Sequence, residues 1–278
     1  MDGEVSAEQA RKILDMLTAG GAMDRINTPL ALRLRPLALE LEDDQLAQRL
    51  LDHAKEIATD DIEHGWATFE QLKHENAAID AFAELCVKSE SLDEAEALAA
   101  AVSHHIALLH LSMENYDDAQ TFATRSLRLR ESIDDQNGIS YGLALLETCA
   151  KRKDDHDTAL VYGTRRLELA LLMKDEEAEI EAMGDLAHTQ ATIGNFAAAK
   201  DLYQKSLELA AELEDLGSQL VARWGLADIA EIEEDYETAM LQLSDCLHTF
   251  INAGVPAPHP LRQRIVDLTE FNNKPAGE

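Results

Sequence analysis

Aromatic residues are scarce, at 5% of a 278-residue sequence that is 46% hydrophobic. A core built on large rings is therefore excluded, and Leu and Ala must do the packing. Prolines number only six, and the Ala–Leu–Glu-rich remainder favours helix throughout. No apolar run reaches 18 residues, so no membrane span is expected. The start, MDGEVSAEQARK, has no basic region followed by an apolar stretch, so a signal peptide is not expected either. The three cysteines, Cys86, Cys149 and Cys246, are odd in number and far apart. That excludes a disulfide framework or a CxxC metal site and suggests a reducing, cytoplasmic setting. Cations are few, 24 against 54 acidic residues, for a formal charge of −30. Phosphate neutralisation needs Lys and Arg, so nucleic-acid binding is disfavoured. The acidity serves solubility first, with attraction of a basic partner as the sharper alternative.

What the chain does have is a period. Tyr116, His156, Phe196 and Tyr236 are spaced by 40, as are Ala119, Ala159, Ala199 and Ala239. The same step relates Leu127, Leu167, Leu207 and Leu247, and again Ile106, Leu146, Leu186 and Leu226, while Asp135, Asp175 and Asp215 punctuate the joins. A fixed period of this size denotes stacked supersecondary units that bury their apolar faces against their neighbours.

Each unit reads as two helices. Over 176–193, Ile180, Met183, Leu186, Ala187 and Ile193 fall at helical spacing; Gly194-Asn195 breaks the pattern, and a second helix runs over 196–214. Equivalent breaks fall at Glu114-Asn115, Asp154-Asp155 and Glu234-Asp235, where Asn and Asp can bond nearby backbone N–H groups. The organisation expected is irregular N-terminal helices over 1–59, a repeat array of about five 40-residue units over 60–253, and a Pro-rich linker, helix and tail over 254–278. An amphipathic helix is predicted over 6–19, stopped by Gly20-Gly21, and Thr28-Pro29 reads as a cap followed by Pro at the first helical position. The terminal helix over 261–271 is expected to cap the last repeat, or alternatively to occupy the chain's own groove.

The unit Gly194-Asn-Phe-x-x-Ala199-x-x-x-Tyr203-x-x-Ser206-Leu207-x-Leu209-Ala210, preceded by Leu186-Ala187, resembles a tetratricopeptide repeat. The 40-residue length is similar to the extended variant of kinesin light chains and Leu-Gly-Asn-repeat scaffolds. The resemblance covers roughly 60–250 and implies an all-α, right-handed α-solenoid of helix-turn-helix repeats. It also implies that first helices line a groove for peptides or partner helices. One repeat departs from the family pattern. The small residue after the first-helix leucine is Ala67, Ala107, Ala187 and Ala227 elsewhere but Glu147 here, and the facing small residue is Cys86, Ser126, Ser206 and Cys246 elsewhere but Arg166 here. An ion pair between Glu147 and Arg166 is expected, since either alone at a tight helix contact would be costly; the alternative is a splayed repeat with both side chains in water. The family's clamp for acidic C-terminal peptides uses Lys and Asn at groove positions where this chain has His64 and Thr68, His104 and Leu108, Ala144 and Thr148, Gly184 and His188, and Trp224 and Asp228. Such a clamp is not expected.

Enzymatic signatures are missing. There is no Gly-rich phosphate loop, no strand-to-helix elbow for a nucleophile, and no His-x-x-x-His pair for a metal, although His64, His104, His105, His110 and His188 all sit in first helices. Neither catalysis, nor a cofactor, nor a metal is expected. Eight of the 24 basic residues fall between 125 and 166, either as interspersed surface charge or as a basic waist, with Lys151 and Arg152 near the groove. The reading reached is an adaptor that binds a peptide or helix of another protein; a ligand-responsive regulator is the alternative, and self-assembly through terminal repeats a third possibility. The groove candidates are His64, Thr68, His104, Leu108, Leu111, Tyr141, Thr148, Arg152, His188, Thr192, Trp224 and Asp228. Trp224 is the preferred hot spot, with core burial the competing reading.

Overall fold

The structure is a computed structural model that describes residues 7–20 and 23–272. The described residues form fourteen α-helices and one 3-10 turn (Met23–Arg25), with no strand. A first compact unit, Met1–Asp135, holds α1 (Ala7–Thr18), α2 (Thr28–Glu40), α3 (Asp44–Ile57), α4 (Asp61–His74), α5 (Ile79–Glu90), α6 (Glu96–Ser112) and α7 (Tyr116–Ser132). The second, Gln136–Glu278, holds α8 (Gln136–Arg152), α9 (His156–Met173), α10 (Glu176–Thr192), α11 (Phe196–Glu212), α12 (Leu216–Ile232), α13 (Tyr236–Asn252) and α14 (His259–Asn272). Within each unit, helices pack on their sequence neighbours, and first helices also touch across repeats: α2 on α4, α4 on α6, α10 on α12. The fold class is the all-α, TPR-like α-solenoid.

The 40-residue period is built from equal halves. From Glu114 onward, a residue in the left-handed backbone region recurs every twenty positions: Glu114, Asp134, Asp154, Lys174, Gly194, Glu214, Glu234 and Gly254. Each ends a helix. The N–H of the next residue then reaches back to the carbonyl five positions before it, as in Asn115 to His110, Asp175 to Ala170 and Asp235 to Ala230 (2.8–3.1 Å), so the last turn's carbonyls are satisfied. Only two of the eight are glycine, the residue that adopts this conformation without steric cost. The following Asp opens the next helix. The side chains of Asp155, Asp175, Asp215 and Asp235 accept from backbone N–H groups three positions on, at 3.0–3.2 Å. Asn115 and Asn195 occupy the same place without a side-chain cap bond, so the expected role of those asparagines is not seen.

Other boundaries shift modestly. Asn27, not Thr28, caps α2, which places Pro29 at the second helical position. The terminal helix starts at His259, inside the Pro-rich stretch. Ser6 and Gly21 of the predicted first helix and its stop, and the tail beyond Asn272, lie outside the described residues.

Small residues hold the helices close. Ala107, Ala119, Ala187, Ala199, Ala227 and Ala239 are fully buried. Ser126 and Ser206 donate to the carbonyls of Ala100 and Ile180 on the facing helix. Cys86, Cys149 and Cys246 are buried, and burial pushes the Cys149 and Cys246 thiols up, which makes them packing residues rather than nucleophiles. At Gly225 a side chain would run into the ring of Tyr203, so this contact between α12 and α11 requires glycine. The helix α14 packs on α13 and buries Leu261 and Leu268 in a cluster with Ala227, Ala230, Leu243 and Cys246, covering the apolar end of the stack.

Candidate partner-binding site

The expected Glu147–Arg166 ion pair does not form. Glu147 on α8 lays its carboxyl against Gly163 of α9, and its Oε1 lies 2.7 Å from Lys151 Nζ, one turn along the same helix. Arg166 on α9 turns the other way, to Glu181 (2.7 Å) and Asp185 (2.7 Å) on α10. Lys151 also reaches Asp185, at 3.3 Å. The two unusual residues are bridged through Lys151 and Asp185, and Arg166 acts on Glu147 at longer range. The Arg166 side chain is long enough to reach the acids of the next repeat, whereas its short equivalents Ser126 and Ser206 bond to the first helix of their own repeat. Glu147 has 1% of its side chain exposed, and its ion pair with Lys151 lacks the angles of a hydrogen bond. Burial accordingly raises its pKa against the opposing pull of Lys151. The repeat does not splay.

The basic waist is largely spent inside the chain. Arg125 pairs with Glu90, Arg130 with Asp135 at 3.0 Å, and Lys151 and Arg166 as above. Arg152 is exposed.

In the second unit, α10 and α12 flank a cavity of about 690 Å³. Its floor carries Ile180, Leu220, Val221, Trp224 and Phe250; Glu181, Asp185 and Asp228 line it too, and Pro258 and Leu261 close it from the α14 side. Among the candidate groove residues, His188, Trp224 and Asp228 meet here. Trp224 is half-buried, so it is at once a core neighbour and a wall of the cavity. The Arg264 guanidinium of α14 lies 5.2 Å from its ring centroid and pairs with Asp228 and Glu231, each at 2.6 Å. Tyr203 is buried at the cavity wall; desolvation, with Asp228 and Asp185 nearby, pushes its hydroxyl up to about 12, so it stays a neutral donor. Missed in the sequence were Glu181 and Asp185, although positions 181, 184, 185 and 188 share one helical face. The α14 contribution had no periodic signal.

The other candidates lie elsewhere on first helices. Tyr141 and Arg152 are exposed on α8, outside this cavity. Thr148 and Thr192 donate to Ala144 and His188 carbonyls of their own helices. In the first unit His64, Thr68 and Leu108 are exposed, Leu111 is half-buried, and Thr68 donates to the His64 carbonyl. His104 is mostly withdrawn from solvent beside Arg130 and His105; desolvation leads those charges in lowering its pKa to about 4. It is a neutral packing residue at neutral pH. Among the described residues, no three His, Cys, Asp or Glu side chains gather as a metal site needs, and no helix is long and apolar enough to cross a membrane.

No protein-family model and no curated protein sequence matches the chain. Solved structures do. The apo form of RapI is similar at 14% identity and a TM-score of 0.60, with 69% of each chain covered. A Pyrococcus horikoshii signal-transduction ATPase with numerous domains and a tetratricopeptide repeat sensor is 16% identical at a TM-score of 0.63; 95% of this chain covers 43% of that one. The C-terminal part of a TPR repeat-containing protein from Cytophaga hutchinsonii is 14% identical at a TM-score of 0.53, with 94% and 93% covered. At such identities the likeness establishes the TPR-like fold.

Proposed function

We propose that the chain is a non-enzymatic protein-interaction module, an array of the extended 40-residue kind, which holds a peptide or helix of another protein on the first-helix face of its second unit. The observation that carries this reading is the cavity where His188, Trp224 and Asp228 converge from successive first helices. Its volume lies within the ~300–1,000 Å³ span of ligand sites, and an apolar floor with a few polar side chains is the usual make-up of such sites. A half-buried tryptophan is the residue type that most often dominates binding energy. The formal charge of −30 favours a protein over a nucleic-acid partner. The exposed first-helix positions His64, Thr68, Leu108, Tyr141, Arg152 and Thr192 are proposed as secondary contacts within their own units.

A ligand-responsive sensor is the second reading. It is favoured by the description of the Pyrococcus horikoshii repeats as a sensor. Selection of a displayed peptide library on the full chain tests both. Selected peptides are expected to bind Trp224→Ala at least tenfold more weakly in calorimetry, about 1.4 kcal/mol. Equal binding to both proteins refutes the site. Compaction in small-angle scattering on peptide addition favours the sensor over a rigid adaptor.

A further inference from the structure

Three carboxylates line the cavity between α10 and α12, and no Lys or Arg does. The cations that steady these acids reach them from outside its lining: Arg166 holds Glu181 and Asp185, Lys151 holds Asp185, and Arg264 holds Asp228. These three cations are shared by five carboxylates, because Glu147 draws on Lys151 and Glu231 on Arg264. The cluster keeps a formal charge of −2. Among the described residues, Glu181 and Asp228 each engage one carboxylate oxygen in an ion pair, Oε2 and Oδ1 respectively, so each has an oxygen left to accept from a ligand.

The chain also displays how a cation is received at this wall. Arg264 sits over the indole of Trp224 with carboxylates at its nitrogens. Cation–π attraction and a charge-assisted pair act together there, and both strengthen where water is excluded. A partner's ammonium or guanidinium entering the cavity meets carboxylates on its α10 side, Glu181 and Asp185, next to apolar lining residues.

We infer that the cavity selects a short peptide segment in which bulky apolar side chains alternate with Lys or Arg. The apolar side chains pack at Trp224, Val221 and Phe250, and the cations are held separately, by Glu181 on α10 and by Asp228 on α12. This rests on the peptide-binding reading above and adds the chemistry of the partner.

The test uses the full chain with Trp66→Phe, which leaves Trp224 as the sole tryptophan of the two in the sequence. Its emission is titrated with three peptides: acetyl-Ala-Arg-Leu-Arg-Phe-Ala-amide, the same peptide with Glu for both Arg, and the same with Ser for Leu and Phe. Calorimetry on the unmodified chain runs in parallel, so poor folding of the variant leaves the test intact. The basic apolar peptide is expected to bind at least tenfold more tightly than either relative. That preference is expected to fall to within about threefold in Glu181→Gln/Asp228→Asn, and to fall in Glu181→Gln alone, which leaves the Arg264 contacts untouched. If the acidic peptide binds as tightly as the basic one, the cation preference is wrong while a peptide groove stands. If no peptide gives a response in either measurement, the groove reading fails with it. If phenethylamine alone binds as tightly as the basic peptide, the site is one for small amines and the peptide assignment is overturned.

Discussion

Replacing Lys151 with Met isolates a buried carboxylate. Glu147 has 1% of its side chain exposed, and among the described residues Lys151 Nζ, at 2.7 Å, is its ion-pair partner. Removing one member of a buried pair typically costs about 3–5 kcal/mol. Lys151 is itself 21% exposed, and Glu147 can escape its charge by taking a proton, so the cost at pH 8 is expected at about 2–3 kcal/mol. In a chain of this size that corresponds to a fall in melting temperature of about 3–5 °C. The pH dependence follows from the direction of the shift. Burial raises the Glu147 pKa in the folded state, so the folded protein binds that proton more readily than the unfolded chain does. The group's favourable contribution is present below the unfolded carboxylate pKa and is lost as pH rises through the folded value. Lys151→Met raises the folded value further. Its defect relative to the parent is therefore largest at pH 8 and shrinks toward pH 5. The double replacement Glu147→Met/Lys151→Met puts an apolar side chain at position 147, where the other repeats keep Ala, and removes the cation at 151, where they have Gln71, Leu111, Ala191 and Glu231; it is expected within about 1 kcal/mol of the parent. Urea unfolding followed by helical circular dichroism at pH 5, 6.5 and 8 measures all of this. A defect independent of pH, or a double variant no better than the single one, would refute the buried-charge account.

Two further outcomes are expected. Glu114, Glu214 and Glu234 hold left-handed backbone at φ 61, 56 and 62°; each replaced singly by Gly should raise stability by about 0.5–1 kcal/mol, read as a higher urea midpoint, whereas no gain at any of the three would show that these turns are unstrained. His104, with its pKa lowered to about 4, should cost the first unit stability as pH falls from 6.5 toward 4, because the unfolded chain takes up that proton first; after allowance for the wet part of the ring the loss is roughly 2 kcal/mol, and His104→Asn should flatten that part of the urea-midpoint profile.

The repeat was legible in the sequence because it is enforced locally. A helix of fixed length must be stopped and restarted, and the residues that do so sit at fixed intervals: Gly194 and Gly254 at the stops, Asp155, Asp175, Asp215 and Asp235 at the starts. Close helix contact demands Ala, Ser or Cys at one position per helix, so Ala107, Ala187 and Ala227 announced their burial by recurrence alone. The register likewise puts His188, Trp224 and Asp228 on the first-helix face.

Partner choice among charged side chains was decided only in three dimensions. Glu147 and Arg166 occupy paired positions in the repeat pattern, yet Lys and Arg side chains are long and flexible, and the nearest opposite charge depends on how the neighbouring helix is turned. Arg166 thus found Glu181 and Asp185, and Glu147 was left to Lys151. The cavity is likewise tertiary. It needs the gap between α10 and α12 and the docking of α14, which brings Leu261 to its edge and Arg264 over Trp224. Short-range backbone chemistry wrote the helices and their spacing into the sequence; which charges meet, and where a hollow remains between helices, depends on how neighbouring helices pack, from Arg166 reaching α10 to α14 docking over Trp224.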